Sequence, residues 1–91
     1  MKVILSAKAC KQLENLLDYL ETNWSATTRR KFQKRFDFFI SAIKTLPYSF
    51  PESKVFPNCR KCVITPQTSV YYLVEDHIIK IISVQDNRQN N

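Results

Sequence analysis

The sequence predicts an α+β domain of order β-α-α-β-β-β, an antiparallel sheet with a two-helix hairpin packed on one face. Three observations carry that expectation. The last third, Arg60 to Gln89, holds three short apolar runs separated by two tight polar breaks, the pattern of a β-meander. The third run, His77 to Gln85, is apolar at Ile78, Ile79, Ile81, Ile82 and Val84; both faces of that strand carry aliphatic side chains, which predicts a central strand. Upstream, two stretches repeat their apolar residues at three- and four-residue steps, the spacing of amphipathic helices.

In chain order, Lys2 to Leu5 is a short β-branched strand, and Ser6 is placed to cap a helix by accepting from its orphan N–H groups. Cys10, Leu13, Leu16, Leu17, Leu20 and Trp24 then mark a helix from Ala7 to about Thr22. Ser25 caps a second helix, whose stripe is Phe32, Phe36, Phe39, Ile40 and Ile43. It should stop near Thr45, because the residue before Pro47 is pushed out of the α region. So short a break makes the helices an antiparallel hairpin, with Leu13, Leu16, Leu20, Trp24, Phe32, Phe36, Phe39 and Ile43 as the expected core against the sheet. Pro47 to Asn58 has no period and reads as a surface loop anchored by Phe50 or Phe56. The meander follows: Cys62 to Thr65, a turn at Pro66-Gln67, Thr68 to Val74, a turn at Glu75-Asp76, and the third strand.

Ninety-one residues with no internal boundary imply one domain, residues 1–91. Such a chain buries roughly 60–65% of its unfolded surface, enough for one core without staples. A net charge of +6 favours polyanions or an acidic protein partner. Three cysteines and the lack of an apolar run long enough for a signal or a span predict a cytoplasmic protein with reduced thiols and no membrane partner. Glycine is absent, so turns fall to proline, Asn and Asp, and folds that need a glycine-rich phosphate loop are excluded.

Cys59 and Cys62 have the spacing of half a zinc site, but only Cys10 and His77 could complete it, from a helix and a distant hairpin. Ordinary buried thiols are the better reading, and neither metal nor cofactor is expected. His77, the only histidine, reads as a solvated turn residue. Arg29, Arg30, Lys31, Lys34 and Arg35 concentrate cations at the start of the second helix. They form either its solvated face or a patch for phosphates or an acidic partner, at a dipole cost of ~0.3–1 kcal/mol. Tyr71 and Tyr72 must point to opposite faces, one to the core and the other free to stack on a base or a partner. Arg88, with Asp86 and Asn87, lies near the Thr65–Ser69 hairpin. There it either clamps a phosphate or closes a salt bridge with Asp86 or a helix carboxylate.

The element order and the phrases Tyr19-Leu20-Glu21-x-x-Trp24-Ser25, Ile43-x-x-Leu46-Pro47, Arg60-x-Cys62-Val63-Ile64, Val70-Tyr71-Tyr72 and Asp86-Asn87-Arg88-Gln89 resemble the RelE/ParE superfamily of bacterial toxins, over essentially the whole chain. The resemblance implies a type II toxin with a cognate antitoxin that folds as it wraps the toxin. It also implies one of two targets: the translating ribosome, where RelE-like members cleave mRNA, or DNA gyrase, which ParE-like members inhibit. In-line attack by a ribose 2′-OH needs a base, an acid and cations on one phosphate. The first hairpin offers Thr65, Gln67, Thr68 and Ser69 but no cation; no Tyr or His follows Arg88; and Arg60 and Lys61 lie ~17 Å away along their strand. A ParE-like toxin that acts by binding is therefore the first expectation. Its contact residues would be Arg88, Asn87, Arg60, Lys61 and Tyr71 with the basic patch, and Arg88 is the single catalytic candidate. A ribosome-dependent endoribonuclease and a non-toxic antitoxin-binding adaptor are the alternatives. Because two helices can cover one sheet face only, an acidic amphipathic antitoxin segment is expected on the other.

Overall fold

The strand that is aliphatic on both sides is hydrogen-bonded on both sides. The computed structural model describes residues 1–88, and Gln89 of the closing phrase lies outside them. The elements are β1 (Lys2–Leu5), α1 (Ala7–Asn23), α2 (Ala26–Thr45), β2 (Arg60–Thr65), β3 (Thr68–Glu75) and β4 (Ile78–Asp86). The sheet order is β1-β4-β3-β2, which makes β4 central as predicted. The meander is antiparallel throughout, with Val70 opposite Cys62 on one side and Val84 on the other. One strand differs from the antiparallel expectation. β1 runs parallel to β4, with Val3 beside Ile79 and Leu5 beside Ile81, and so the sheet is mixed. The long path through two helices and two strands supplies the crossover that a parallel pair needs.

Local chemistry sets the helix boundaries. Ser6 accepts from the Ala9 N–H at 3.0 Å and Ser25 from the Thr28 N–H at 3.0 Å, each satisfying a first-turn donor. Leu46, held at φ −132° and ψ 68° ahead of Pro47, ends α2. With no glycine available, the two left-handed positions among the described residues fall to Asn58 (φ 64°) and Asp76 (φ 43°), residue types that tolerate that region. No helix among the described residues is long and apolar enough to cross a membrane.

The core forms between the helical hairpin and one sheet face. Leu16, Leu20, Phe32, Phe36 and Ile43 meet Cys62, Ile64, Val70, Tyr72, Ile79, Ile81 and Val84. Full burial of each aliphatic side chain contributes about 1.5–3 kcal/mol. Leu13 and Phe39 pack at its margin. Trp24 corrects the expected core: it is 66% exposed. It is the C-cap residue of α1, at φ −126° and ψ −87°, so the helical step from Leu20 no longer aims it inward. Cys10, counted in the same stripe, is also exposed.

A bulge in β4 decides what lies at the end of the sheet. Tyr71 pairs with Ser83 but Tyr72 with Ile81, which leaves Ile82 unopposed. Ser6 Oγ donates to the Ile82 carbonyl at 3.3 Å, and Gln12 Oε1 accepts from the Val84 N–H at 2.7 Å and from Ser83 Oγ at 3.2 Å. The extra residue switches the side-chain alternation, so the inward positions run Ile79, Ile81 and then Val84, Asp86. Asp86 consequently faces the helical side of the sheet.

Candidate functional site

Asp86 sits opposite Thr68 at the end of the β3–β4 ladder, with its side chain 1% exposed. A carboxylate that is this enclosed must be paired or neutralised. Thr68 Oγ1 donates to Oδ2 at 2.5 Å, Arg88 Nη2 to Oδ2 at 2.7 Å, and Arg88 Nε and N to Oδ1 at 3.1 and 2.9 Å. Burial works to raise the carboxyl's pKa, but the hydrogen bonds and charge of Arg88, with the Thr68 hydroxyl, outweigh it and hold the group below its usual range. Of the two roles open to Arg88, the salt bridge with Asp86 is the one the structure contains. Asn87 is exposed, and its N–H donates to the Gln67 carbonyl at 2.9 Å, tying the tail to the first hairpin.

The hairpin end is not short of cations, contrary to the expectation from local sequence. α2 crosses it, and Arg35 Nε donates to the Ile64 carbonyl in β2. An open cleft of about 210 Å³ lies there, lined by Leu20, Thr28, Lys31, Phe32, Arg35, Thr65 and Arg88. The basic patch and the tail, read as two surfaces in the sequence, share this cleft through Lys31, Arg35 and Arg88. The available signal was helical phase: Lys31 and Arg35 are four residues apart and flank the inward-facing Phe32 and Phe36.

The other expected contact residues are dispersed. Arg29 bridges the two helices, 3.4 Å from Asp18 and 3.0 Å from Glu21. Arg30 donates to Thr27 and Lys34 is exposed. Arg60, at the far end of β2, donates to the Phe50 and Tyr48 carbonyls at 2.8 and 3.3 Å, and its guanidinium lies 5.2 Å from the Tyr48 ring centroid; it holds the 47–58 loop. Lys61 is half-buried on the sheet face away from the helices, beside Tyr71. Tyr71 is 7% exposed, its ring 4.8 Å from that of Phe56, so the face expected to be free for stacking is occupied. Tyr72 faces the core and donates to the Pro47 carbonyl at 2.6 Å.

His77 is exposed in the second turn. Cys59 and Cys62 are buried free thiols; burial raises both, Cys62 to about 11. No group of three or more metal-ligating side chains occurs among the described residues. The cleft itself is lined by cations, hydroxyls and apolar carbon with no carboxylate, and Asp86, which pairs with the lining residue Arg88, is already committed to it. Such a lining can hold an anion or an apolar group, but no side chain in it is a ready general base.

A family model described as "ParE toxin of type II toxin-antitoxin system, parDE" matches residues 3–91. The chain belongs to the ParE toxin family. Solved toxins share the fold of this ParE-family member at low identity. The chromosomal ParDE system of P. aeruginosa is 16% identical with a TM-score of 0.81, covering 94% of this chain and 95% of that one. The YoeB/ParE toxin of Agrobacterium tumefaciens is 14% identical with a TM-score of 0.69, covering 94% and 98%. The E. coli DinJ-YafQ toxin-antitoxin complex gives 11% identity and a TM-score of 0.63, covering 96% and 92%. No curated protein sequence matches. The chain is thus a toxin of the ParE family, whose members belong to type II systems that pair a toxin with an antitoxin.

Proposed function

We propose that this toxin arrests growth by binding a protein target, DNA gyrase, through the surface around Lys31, Arg35 and Arg88. The observation that carries the reading is the convergence of Lys31 and Arg35, with the Asp86-paired Arg88 as a wall, on an apolar cleft with no ready base beside them. A cationic rim steers and orients an acidic partner, while the apolar lining supplies affinity when it is desolvated. Induced expression should arrest growth and relax cellular DNA, and the purified toxin should block supercoiling by gyrase; normal supercoiling would refute the gyrase target.

The sheet face away from the helices supports an acidic antitoxin segment that folds on binding. Val63 is 52% exposed there, and the strand registers put Lys61, Leu73 and Lys80 on the same face. Lysine beside half-covered aliphatic carbon suits an acidic amphipathic segment.

One observation favours a second reading. Cations do reach the first hairpin, through α2, which is what a ribosome-dependent mRNA endoribonuclease would need on its scissile phosphate. It predicts transcript cleavage that stops when translation is blocked.

A further inference from the structure

We propose that the cleft between α1, α2 and the first hairpin is a docking pocket for one aliphatic side chain carried by an acidic segment of the protein target, with neighbouring carboxylates on Lys31 and Arg35. The inference rests on reading this surface as the target contact. It goes further by stating what the target must present.

Size and lining choose the side chain. Leu20 is 1% and Phe32 6% exposed, so both form a floor and neither projects. The cleft of about 210 Å³ has the scale of a single branched aliphatic or small aromatic residue. Thr28 and Thr65 stand at its sides as half-buried residues.

Charge chooses the setting of that side chain. Arg88 is neutralised by Asp86 and forms a fixed wall rather than a free cation. Arg29 takes up Asp18 and Glu21, the carboxylates of α1 nearest to α2's first turns. Neither Lys31 nor Arg35 forms an ion pair among the described residues. Arg35 is held in place by the Ile64 carbonyl and by the Phe39 ring, 5.4 Å from its guanidinium. One positioned cation, Arg35, and a second, exposed one, Lys31, on the rim of an apolar recess fit an aliphatic residue flanked by Asp or Glu.

Other occupants fit less well. Single-stranded nucleic acid needs open aromatic faces on which bases stack, and the one ring in the cleft, Phe32, is a buried floor. A second copy of this chain carries the same +6 charge, and its α1 carboxylates Asp18 and Glu21 are already used by Arg29.

The test titrates the isotope-labelled full chain with three probes: an acidic peptide of repeating Leu-Glu-Glu, the same peptide with Gln for Glu, and a single-stranded RNA of mixed sequence. The acidic peptide should move the resonances of Leu20, Thr28, Phe32 and Thr65, and bind about fivefold more weakly to Lys31→Glu, the upper range for an exposed ion pair. Thr28→Leu fills the cleft while keeping the backbone N–H that Ser25 caps, and should abolish binding; unchanged thermal melting of both variants shows that they fold. Equal binding of the Gln peptide, shifts confined to other residues, RNA binding in the cleft, or cleft shifts that follow protein concentration alone would each overturn the proposal. The same variants in a gyrase supercoiling assay separate it from the functional reading. Peptide binding in the cleft by a toxin that leaves gyrase untouched upholds the pocket and refutes that target, whereas gyrase inhibition that survives Thr28→Leu does the reverse.

Discussion

Arg88 meets Asp86 two residues before it through both faces of its guanidinium fork, Nη2 at 2.7 Å and Nε at 3.1 Å, on a carboxylate that is otherwise sealed from water. The residue singled out as the one cation of the tail therefore closes the sheet end, and what remains exposed of it forms a wall of the cleft. Arg88→Ala strands a buried charge. It should lower stability by about 2–3 kcal/mol, less than for a fully enclosed pair because Arg88 retains 25% side-chain exposure. Urea denaturation measures this, and Asp86→Asn combined with Arg88→Ala should recover part of the loss. Any activity lost in Arg88→Ala alone has to be read against that destabilisation.

Acid should reveal the same pair. The Asp86 carboxyl titrates below its ordinary value of 3.8 in the folded chain, so near and below that value the unfolded state binds the proton first. The stability it contributes is present above that value and is lost as pH falls through the folded pKa. Unfolding curves between neutral pH and pH ~3 should therefore fall less steeply for Asp86→Asn than for the unchanged chain. Equal slopes would mean that the pair is not formed in solution.

Gln12 supports the bulge from outside the sheet. Gln12→Leu removes the acceptor for the Val84 N–H and Ser83 Oγ at a similar side-chain volume, and should cost about 1–3 kcal/mol. Hydrogen exchange at Val84 should accelerate more than at Val70, which keeps its ladder partners.

Thiol chemistry separates the cysteines. Cys62, raised to about 11 and fully buried, and Cys59, raised and 5% exposed, should resist alkylation at neutral pH in the folded chain, whereas exposed Cys10 reacts. Mass spectrometry of the alkylated native chain should find one adduct, on Cys10, and three after denaturation.

Much of this fold was legible because its signals are local. Ser6, Ser25 and Pro47 punctuate the helices through bonds and clashes within four residues, and the aliphatic run Ile78 to Val84 declares a central strand. What escaped depends on contacts distant in sequence. The parallel docking of β1 is a choice of sheet edge, and the bulge at Ile82 rests on Ser6 and Gln12, more than sixty residues upstream. Trp24 kept the helical period but fell on the cap, where the period no longer applies. The cleft was hidden for the same reason: Lys31 and Arg35 meet Arg88 only because α2 crosses the hairpin end. Local sequence around Thr65 therefore could not show the cations that reach it.

The proposed gyrase target places the contact of this ParE-family toxin at the cleft beside Lys31 and Arg35. The decisive measurement is gyrase supercoiling in the presence of the purified toxin, with Lys31→Glu alongside. The unchanged chain should inhibit, and Lys31→Glu should inhibit markedly less at equal stability. Supercoiling that proceeds normally with the unchanged chain, while transcripts are cut only during translation, would rule out the gyrase target.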